Sequence, residues 1–529
     1  MCDFPARAMI LNEMGLFINS GFDHCIKYLE LKNKLNLRVV SLVFSSYFIE
    51  KPASAFGHTF FKLRSYDSTS EDNDLLDYGA DFSATVTTPN PILYGIMGIF
   101  GGFDGNFKLM PYYYKIREYN DMESRDLWNY ELAFDKRDLE LFVAHLFEMQ
   151  KASFDYYYTG ENCSYHILGF VNAIRPDWKL MDQLNTFVPP IETIYALYES
   201  QNIVTKVAYR SSLNKKVLQR YNHLNQLERK YFFQVTSDDN FNELEKIDDP
   251  FTKSNVTEMA SDYYDFKNAP ILLGEKNDSY NQAMKKKFQI NLIRSKIKEK
   301  PFQINQDTEL KNAPHLGHKT RRLKIGYLNE NSFKGFELQY KFSLHEYLDR
   351  QTGWIPFSKT EMGRLDFRYV EKNRPRLDKF SLVGIDALKP IGRLSIPLSW
   401  RFATGVMDQR FIPRQDVSPY FDLALGVSSQ FKYFAYAIFL RADQSLIFNY
   451  AKHYRMKLGP ELLLVFNNEI FAASFEVNRL KILNQLDRYV TNIIAQLHYN
   501  SGDNFGFFLK DEKIDNMENA YSVGVIKYF

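Results

Sequence analysis

The C-terminal part of the chain alternates apolar and polar residues with the period of a β-strand. From 336 to 344 every even position is apolar and every odd position between them is polar. Because successive side chains of a strand point to opposite faces, this pattern predicts a strand with one apolar face. Turn signals separate about 12 such segments, which predicts an antiparallel sheet long enough to close into a β-barrel. The segments are 322–328, 336–344, 365–369, 378–388, 394–406, 420–428, 431–441, 456–466, 469–479, 488–499, 504–510 and 520–529.

The last of these strands ends on an aromatic residue. Within YSVGVIKYF, the apolar residues at 521, 523 and 525 lie opposite Ser522 and Gly524, while Lys527 departs from the apolar face. An amphipathic strand that ends in Phe529 resembles the closing strand of bacterial outer-membrane barrels, which implies a barrel that spans a membrane. Alternation alone does not tell which face is wet, so a water-soluble barrel or sandwich stays open.

The first 190 residues combine strands with helices. Strand-like apolar runs cover Leu37–Phe48, Thr59–Arg64 and Leu75–Phe82. Residues 135–150 follow a helical period behind Asp135, a favourable N-cap, and a second helix begins near Asn162 and ends before a proline. These patterns predict an α+β domain over 1–190.

A lysine-rich connecting segment over 191–315 separates this domain from the barrel. Residues 213–233 give its clearest helical pattern. Residues 234–315 show few apolar periodicities, so we expect a solvated linker with short helices there. The fold class predicted is therefore multidomain α+β, with a helical or irregular segment at 191–315 and an antiparallel barrel at 316–529.

Composition narrows the possible partners and compartments. The 529 residues include 45 Phe and 35 Tyr, too many for a disordered chain, and aromatics are used as girdles in membrane barrels.

A net charge of +2 gives no electrostatic footprint for nucleic acid. The longest apolar stretch, 91–103, is short and broken by glycines, so spanning helices are not expected. Residues 1–10 lack the apolar region of a signal peptide, which leaves a cytoplasmic protein or a chain that begins late.

Two residues stand out as candidates for chemistry. Cys163 falls in the first turn of a predicted helix, where unpaired N–H groups and the helix dipole favour a thiolate. His58 directly precedes the strand predicted at Thr59–Arg64, and an imidazole near a thiol can act as general base and acid. A buried filler cysteine and a structural histidine are the alternatives. His166 competes as a partner, but it would project alongside Cys163 on the same helix. Histidine spacing indicates no metal site, and no cofactor motif is found.

Several motifs in order resemble the Lnb-type periplasmic domain, a family named for bacterial lipoprotein N-acyltransferases. They are SLVFSSYFIEKPASAFGHTFFKL, LLDYGADFSA, GIFGGFDGNFKLMPYYYKIREYN, RDLWNYEL and YYYTGENCSYHIL, and the match covers about residues 2–200. The opening CDFPAR also resembles a motif that lies well inside the family's precursors. The resemblance therefore implies a periplasmic domain and a chain that begins late.

The segment NCSYHIL is also similar to the cysteine segment of lecithin:retinol acyltransferase-like enzymes. These belong to the circularly permuted branch of the NlpC-like, papain-like superfamily, in which the histidine precedes the cysteine. The resemblance implies that Cys163 is the nucleophile and His58 the general base and acid. It further implies an orienting carboxylate, Asp81 or alternatively Asp77, since spacing along the strand does not separate the two.

The resemblance also implies the remaining site and the reaction. Asn162 or nearby backbone N–H groups would form the oxyanion hole, and Ser54 and Tyr47 would line the cleft. A phospholipid would donate an acyl chain to the cysteine, and a lipoprotein or other amine would accept it. In an oxidising periplasm Cys2 and Cys25 would pair as a disulfide, or both stay reduced. The alternatives are a lipid acyl hydrolase, a papain-like cell-wall peptidase or amidase, and a non-catalytic outer-membrane structural or assembly protein.

Overall fold

The chain forms two compact units. The computed structural model describes residues 2–16, 21–49, 55–67, 76–200, 202–305, 307–371, 375–408, 417–446, 454–483, 488–515 and 518–529. The first unit comprises Met1–Phe48 and Gly57–Leu310, and the second comprises Ile49–Phe56 and Lys311–Phe529.

An antiparallel sheet of seven strands forms the centre of the first unit. Its strands are β1 (Leu37–Ser45), β2 (His58–Ser65), β3 (Tyr78–Thr85), β4 (Phe103–Pro111), β5 (Leu127–Leu132), β6 (Ser153–Tyr156) and β7 (Val204–Arg210). They pair in the order β6-β4-β3-β2-β1-β5-β7. The chain passes through β1 and β2 in the middle of the sheet, and this explains the continuous apolar run of β1, because central strands are covered on both faces.

Eleven α-helices accompany the sheet among the described residues. They are α1 (Pro5–Glu13), α2 (Ile26–Leu35), α3 (Pro91–Phe100), α4 (Tyr112–Lys115), α5 (Lys136–Met149), α6 (Cys163–Ile174), α7 (Pro190–Glu199), α8 (Leu213–His223), α9 (Gln226–Ser237), α10 (Pro250–Leu272) and α11 (Asp278–Ser295). A π-helical segment, Ile116–Met122, continues α4. None of the helices in the described part of the chain is long and apolar enough to cross a membrane.

Alternating residues of β2 build two cores on opposite faces of the sheet. Phe61 packs against Phe142 of α5 and Phe170 of α6, with ring centroids 5.1 and 5.4 Å away. Its neighbour Phe60 packs on the other face against Tyr112 and Tyr119. The two faces together enclose β2, and His58 at its first position lies at the edge of this packed region.

The segment 191–315 is not the connecting segment that its sequence predicted. β7 pairs with β5, so the sheet continues past the boundary expected at residue 190. The helix predicted over 213–233 is interrupted after His223, because Asn225 caps a new helix through a capping box with Glu228.

Two long helices lie within residues 250–295, where the sequence predicted a solvated linker with short helices. α10 has 23 residues and α11 has 18, and both belong to the first unit. α10 buries polar as well as apolar residues, and its Asp262 pairs with Arg220 and Lys216 of α8. Because these polar residues lie on the packed side, the apolar periodicity that reveals an ordinary amphipathic helix is missing.

The second unit is a closed antiparallel barrel of twelve strands, as the sequence predicted. Neighbouring strands pair around the whole ring, and β19 closes it against β8. Two strands differ most from their predicted extents: the strand predicted at 394–406 begins only at Ser399, and the strand predicted at 365–369 already begins at Lys359. The strands are β8 (Arg322–Glu330), β9 (Phe333–His345), β10 (Lys359–Val370), β11 (Arg376–Ala387), β12 (Ser399–Asp408), β13 (Val417–Phe431), β14 (Phe434–Leu446), β15 (Tyr454–Asn467), β16 (Phe471–Ile482), β17 (Tyr489–Asn500), β18 (Phe505–Ile514) and β19 (Glu518–Tyr528).

The polarity of the barrel is reversed relative to a water-soluble protein. Large apolar side chains such as Leu425, Leu440 and Val523 are exposed on the outside. Charged residues are buried in the interior, where Arg441 pairs with Asp422 and Glu461. An apolar exterior around a polar interior is stable only where the surrounding solvent is apolar, which is the arrangement of transmembrane β-barrels. The open question of which face is wet is thereby answered: the apolar face contacts lipid.

Candidate active site

A glycine turn delivers His58 to the start of β2. Gly57 has a φ of +87°, a backbone conformation that other residues rarely adopt. A Cβ atom at this position would lie 2.9 Å from the ring of Phe44 on β1. Only glycine therefore lets the chain turn this closely onto β1 and begin the strand at His58.

His58 is the first member of a buried chain of three charged groups. Its Nε2 lies 2.7 Å from Oδ1 of Asp81, and the other carboxylate oxygen accepts a hydrogen bond of 2.8 Å from Nζ of Lys115. Lys115 also pairs with Glu118 at 3.0 Å. Although burial alone would raise the pKa of Asp81, Lys115 and His58 hold it well below its ordinary value. Asp81 is therefore an anion that fixes the orientation of the imidazole.

The structure distinguishes Asp81 from Asp77, the two candidates for the carboxylate that orients His58. Asp77 precedes β3 and pairs with Lys62 at 3.2 Å, whereas Asp81 lies within β3 and contacts His58. Both carboxylates are buried. Asp81 is thus the one placed to orient the imidazole, and Asp77 belongs to a separate ion pair.

Asn162 places Cys163 at the first position of α6. Its Oδ1 accepts hydrogen bonds from the N–H groups of Ser164 and Tyr165, and its Nδ2 donates to the carbonyls of Tyr158 and Val188. The side chain therefore caps the helix and joins it to two neighbouring segments. Since both ends of the amide are engaged, Asn162 is a positioning residue and the oxyanion role expected for its side chain is not supported.

Cys163 and His58 meet at the N-terminus of α6. The thiol, only 3% exposed, hydrogen bonds to the His58 side chain and to the backbone N–H of Thr59. Burial would raise the pKa of Cys163, but His58 and these hydrogen bonds lower it to about 7. Burial would likewise lower the pKa of His58, but Cys163 and Asp81 raise it to about 10. Between these values the pair is a thiolate and an imidazolium.

A tyrosine that the sequence did not single out lies beside the nucleophile. The Tyr156 hydroxyl hydrogen bonds to the backbone of Cys163. Burial holds the pKa of this phenol well above its ordinary value, so the group keeps its proton and can donate. The backbone N–H of Cys163 donates to the Tyr156 oxygen, which places this phenol beside the nucleophile.

Tyr47, Ser54 and His166 are the other candidates for the site that the sequence suggested. Tyr47 is buried and packs edge-to-face on Phe44, with ring centroids 5.5 Å apart. Ser54 lies outside the described residues. The ring of His166 stacks on Phe82 at 4.1 Å, and burial lowers its pKa to about 4. His166 is therefore a neutral packing residue and does not compete with His58.

Cys2 and Cys25 are joined by a disulfide, with their Cα atoms 5.1 Å apart. Of the three cysteines in the chain, only Cys163 is a free thiol. The described residues include one further group with metal-ligating atoms, formed by His318, His345 and Asp349 of the barrel unit. Asp349 of this group pairs with Lys341 at 2.9 Å and with Arg322 at 2.7 Å.

Fold and site together define a membrane β-barrel protein with a second, α+β unit that holds a cysteine, a histidine and an aspartate in contact. Residues 27–200 match the family model of the Lnb N-terminal periplasmic domain. Residues 311–522 match a second model, described as a domain of unknown function (DUF7840). The chain is located in the outer membrane, with the barrel as its membrane-associated part and the Lnb-like domain in the periplasm.

Solved structures similar to the chain include porins and an outer membrane protein. A KdgM porin in complex with disordered oligogalacturonate is 10% identical, with a TM-score of 0.26, and the match covers 39% of this chain and 99% of the porin. The outer membrane protein Omp33 of Acinetobacter baumannii is 8% identical, with a TM-score of 0.23, over 40% of this chain and 99% of Omp33. No curated protein matches the chain.

Proposed function

We propose that the protein is a cysteine-dependent acyltransferase that takes an acyl chain from a membrane lipid through an acyl-thioester on Cys163. The observation that carries the proposal is the contact of Cys163 with His58, which Asp81 orients in turn. This is the arrangement in which a nucleophile, a base and an orienting group perform acyl transfer. The order of the residues, with His58 on a strand before Cys163 on a helix, is also that of the permuted papain-like branch.

In the first half-reaction the Cys163 thiolate attacks the carbonyl carbon of a lipid ester. A C–S bond forms, and the negative charge moves to the carbonyl oxygen, which backbone N–H groups at the start of α6 stabilise. Collapse of this intermediate breaks the C–O bond. The leaving alcohol takes the proton of the His58 imidazolium, which leaves the acyl-thioester and a neutral imidazole.

In the second half-reaction an amine attacks the thioester. His58 removes a proton from the amine as the C–N bond forms, and the C–S bond breaks to regenerate the thiolate. Because Nε2 is held by Asp81, Nδ1 is the nitrogen that exchanges the proton. A lipoprotein with a free N-terminal amine would supply this acceptor, and water in its place would make the same site a lipid acyl hydrolase.

Two further functions are compatible with parts of the same structure. A papain-like peptidase or amidase would use the same three residues on an amide of the cell wall. A non-catalytic role in outer-membrane structure or assembly is favoured by one observation, the 3% exposure of Cys163, because a substrate must reach the thiol.

Trapping the covalent intermediate separates these functions. The full chain is incubated with a defined phospholipid, quenched in acid and examined by mass spectrometry of the peptide that contains Cys163. An added mass equal to the acyl chain, absent in Cys163→Ala, supports lipid acyl transfer. An adduct from a cell-wall peptide alone indicates a peptidase, and activity of Cys163→Ala equal to that of the unmodified protein rules out every cysteine-dependent reaction.

A further inference from the structure

The helix α3 exposes an apolar stripe to solvent. Leu93, Ile96 and Phe100 are 45%, 50% and 77% exposed. Their spacing of three and four residues places them on one side of the helix. The stretch from Pro91 to Phe103 contains no charged residue. An uncharged helix that turns aliphatic and aromatic side chains outward is unusual on the surface of a soluble domain.

The opposite side of α3 packs on the segment that precedes Cys163. The carbonyl of Gly98 accepts a hydrogen bond of 2.8 Å from the backbone N–H of Tyr158. A Cβ atom at Gly98 would lie 2.1 Å from the Tyr158 ring, so glycine is required for this close approach. The Tyr158 carbonyl in turn accepts from Asn162, the cap that positions Cys163. Tyr158 and Asn162 thus connect α3 to the proposed nucleophile.

The size of the stripe decides between the possible occupants. A helix of ten residues is roughly 15 Å long, and three side chains cover far less than the about 800 Å² per partner that a stable protein interface buries. A second copy of the chain or a protein partner would therefore need contacts beyond α3. Shallow insertion into a bilayer needs no further contacts, because the barrel of the same chain already anchors the protein in a membrane.

We propose that α3 is an interfacial helix that inserts Leu93, Ile96 and Phe100 into the phospholipid leaflet beside the periplasmic domain. The consequence for the substrate rests on the proposed function. The docked helix contacts the segment that precedes Cys163, so it brings the ester of a membrane phospholipid to this residue. The substrate class is accordingly a lipid still embedded in the bilayer.

Another helix offers a competing stripe. Met284, Phe288 and Leu292 of α11 are also exposed at helical spacing. They are interleaved with lysines, of which Lys286 pairs with Asp239 and Lys287 with Asp265. The lysines of α11 form salt bridges at the protein surface and would lose their hydration in a bilayer, whereas α3 carries no charged side chain. α3 is therefore the better candidate for insertion, and α11 is a site to be measured against it.

Depth-dependent fluorescence quenching tests the docking without any catalysis. The full-length Cys163→Ala protein is reconstituted into vesicles that contain phospholipids spin-labelled on the acyl chain, with a single fluorescent label at Ile96→Cys. A matched label at Leu218→Cys, exposed on α8, is the control. Quenching at position 96 well above that at 218 is expected. Equal quenching at the two positions, or quenching at Phe288→Cys but not at 96, would overturn the proposal.

Kinetics then test the consequence for the substrate. Replacing Leu93, Ile96 and Phe100 by serine is expected to raise KM for phospholipid in bilayers by roughly tenfold, since three apolar side chains no longer enter the leaflet. Turnover of a soluble short-chain ester should stay within about twofold. The matched control replaces the exposed Leu218, Leu227 and Phe233 by serine and should change neither value. An equal loss on both substrates would refute the docking role, whereas no turnover of any ester by the unmodified protein would refute the proposed function and leave the quenching result standing.

Discussion

His58 directs Nε2 at Asp81 over 2.7 Å, and this contact leaves Nδ1 as the nitrogen available to Cys163. An imidazole held in this way is fixed both in tautomer and in ring orientation. The same relationship is found wherever a carboxylate supports a histidine base. The contact therefore predicts different consequences for two neighbouring carboxylates.

Asp81→Asn is expected to lower kcat for acyl transfer by roughly 100-fold or more, because an amide neither stabilises the imidazolium nor holds its tautomer. Asp77→Asn is the matched control, since this carboxylate is equally buried but pairs with Lys62. Thermal unfolding of both variants separates stability from catalysis. An equal fall in kcat for the two variants would contradict the assignment of Asp81.

The pH dependence of Cys163 alkylation should report the ion pair. Because the pKa of Cys163 is lowered to about 7, the rate of reaction with iodoacetamide should rise with pH through a midpoint near 7. The pKa of His58 is raised to about 10, so the thiolate–imidazolium pair exists between these values and acyl transfer falls as pH rises through about 10. A midpoint near the ordinary value of a thiol would show that His58 does not act on Cys163.

Removing the imidazole tests the same coupling from the other side. His58→Ala should lower kcat/KM by about 10²–10⁴-fold, the usual contribution of a general acid–base group. Burial, which raises the pKa of Cys163, is then opposed only by the hydrogen bond from the Thr59 N–H, so the alkylation midpoint should move up. His166→Ala is the control, because His166 stacks on Phe82 and has no part in the proposed reaction. A variant of His166 that loses activity while its folding is intact would count against this assignment.

Lys115→Met should weaken both the fold and the site. Lys115 is a buried cation that pairs with Asp81, so its removal leaves a carboxylate with one partner fewer and should cost about 3 kcal/mol in the free energy of unfolding. The alkylation midpoint of Cys163 should shift as well, which a purely structural effect would not produce. Lys108→Met, exposed on β4, is expected to change stability by less than about 0.5 kcal/mol. Urea unfolding and the alkylation profile measure the two effects.

Because the apolar exterior of the barrel faces lipid, we expect two outward positions of the same strand to differ in how well they tolerate arginine. Leu509 and Asp511 of β18 both point outward and lie two residues apart. Leu509→Arg places a charge among apolar neighbours and should cost up to about 2–4 kcal/mol of barrel stability, the cost of arginine near the bilayer midplane. Asp511→Arg exchanges one charge for another and should be tolerated. The fraction of heat-modifiable, membrane-inserted protein measures both, and equal tolerance would argue against a lipid-facing belt at Leu509.

The sequence was most informative where structure is local. Alternation with a period of two residues is visible in any strand with one polar face, so the twelve barrel strands could be predicted. The alternation could not show which face of the barrel contacts water, because the same pattern fits a barrel with water outside and a barrel with lipid outside. α10 escaped prediction for a related reason: it buries Asp262 among ion pairs and so lacks an apolar period.

The site divides in a similar way. Cys163 and His58 were identified from a helix start, a strand start and a resemblance, although their separation along the chain says nothing about contact. Lys115 and Tyr156 were missed, because a lysine behind three tyrosines and a tyrosine in a run of three carry no local signal. Their roles come from partners on distant elements, and a single sequence does not display these contacts.

The pairing of Cys2 with Cys25 has a consequence for how the protein matures. Chains cross into the oxidising compartment N-terminus first, so these two cysteines meet an oxidase before Cys163 emerges. Once they are bonded, no other thiol remains in the chain with which Cys163 can be cross-linked. The disulfide between the first two cysteines thus leaves Cys163, the proposed nucleophile, as the thiol of this sequence that stays free.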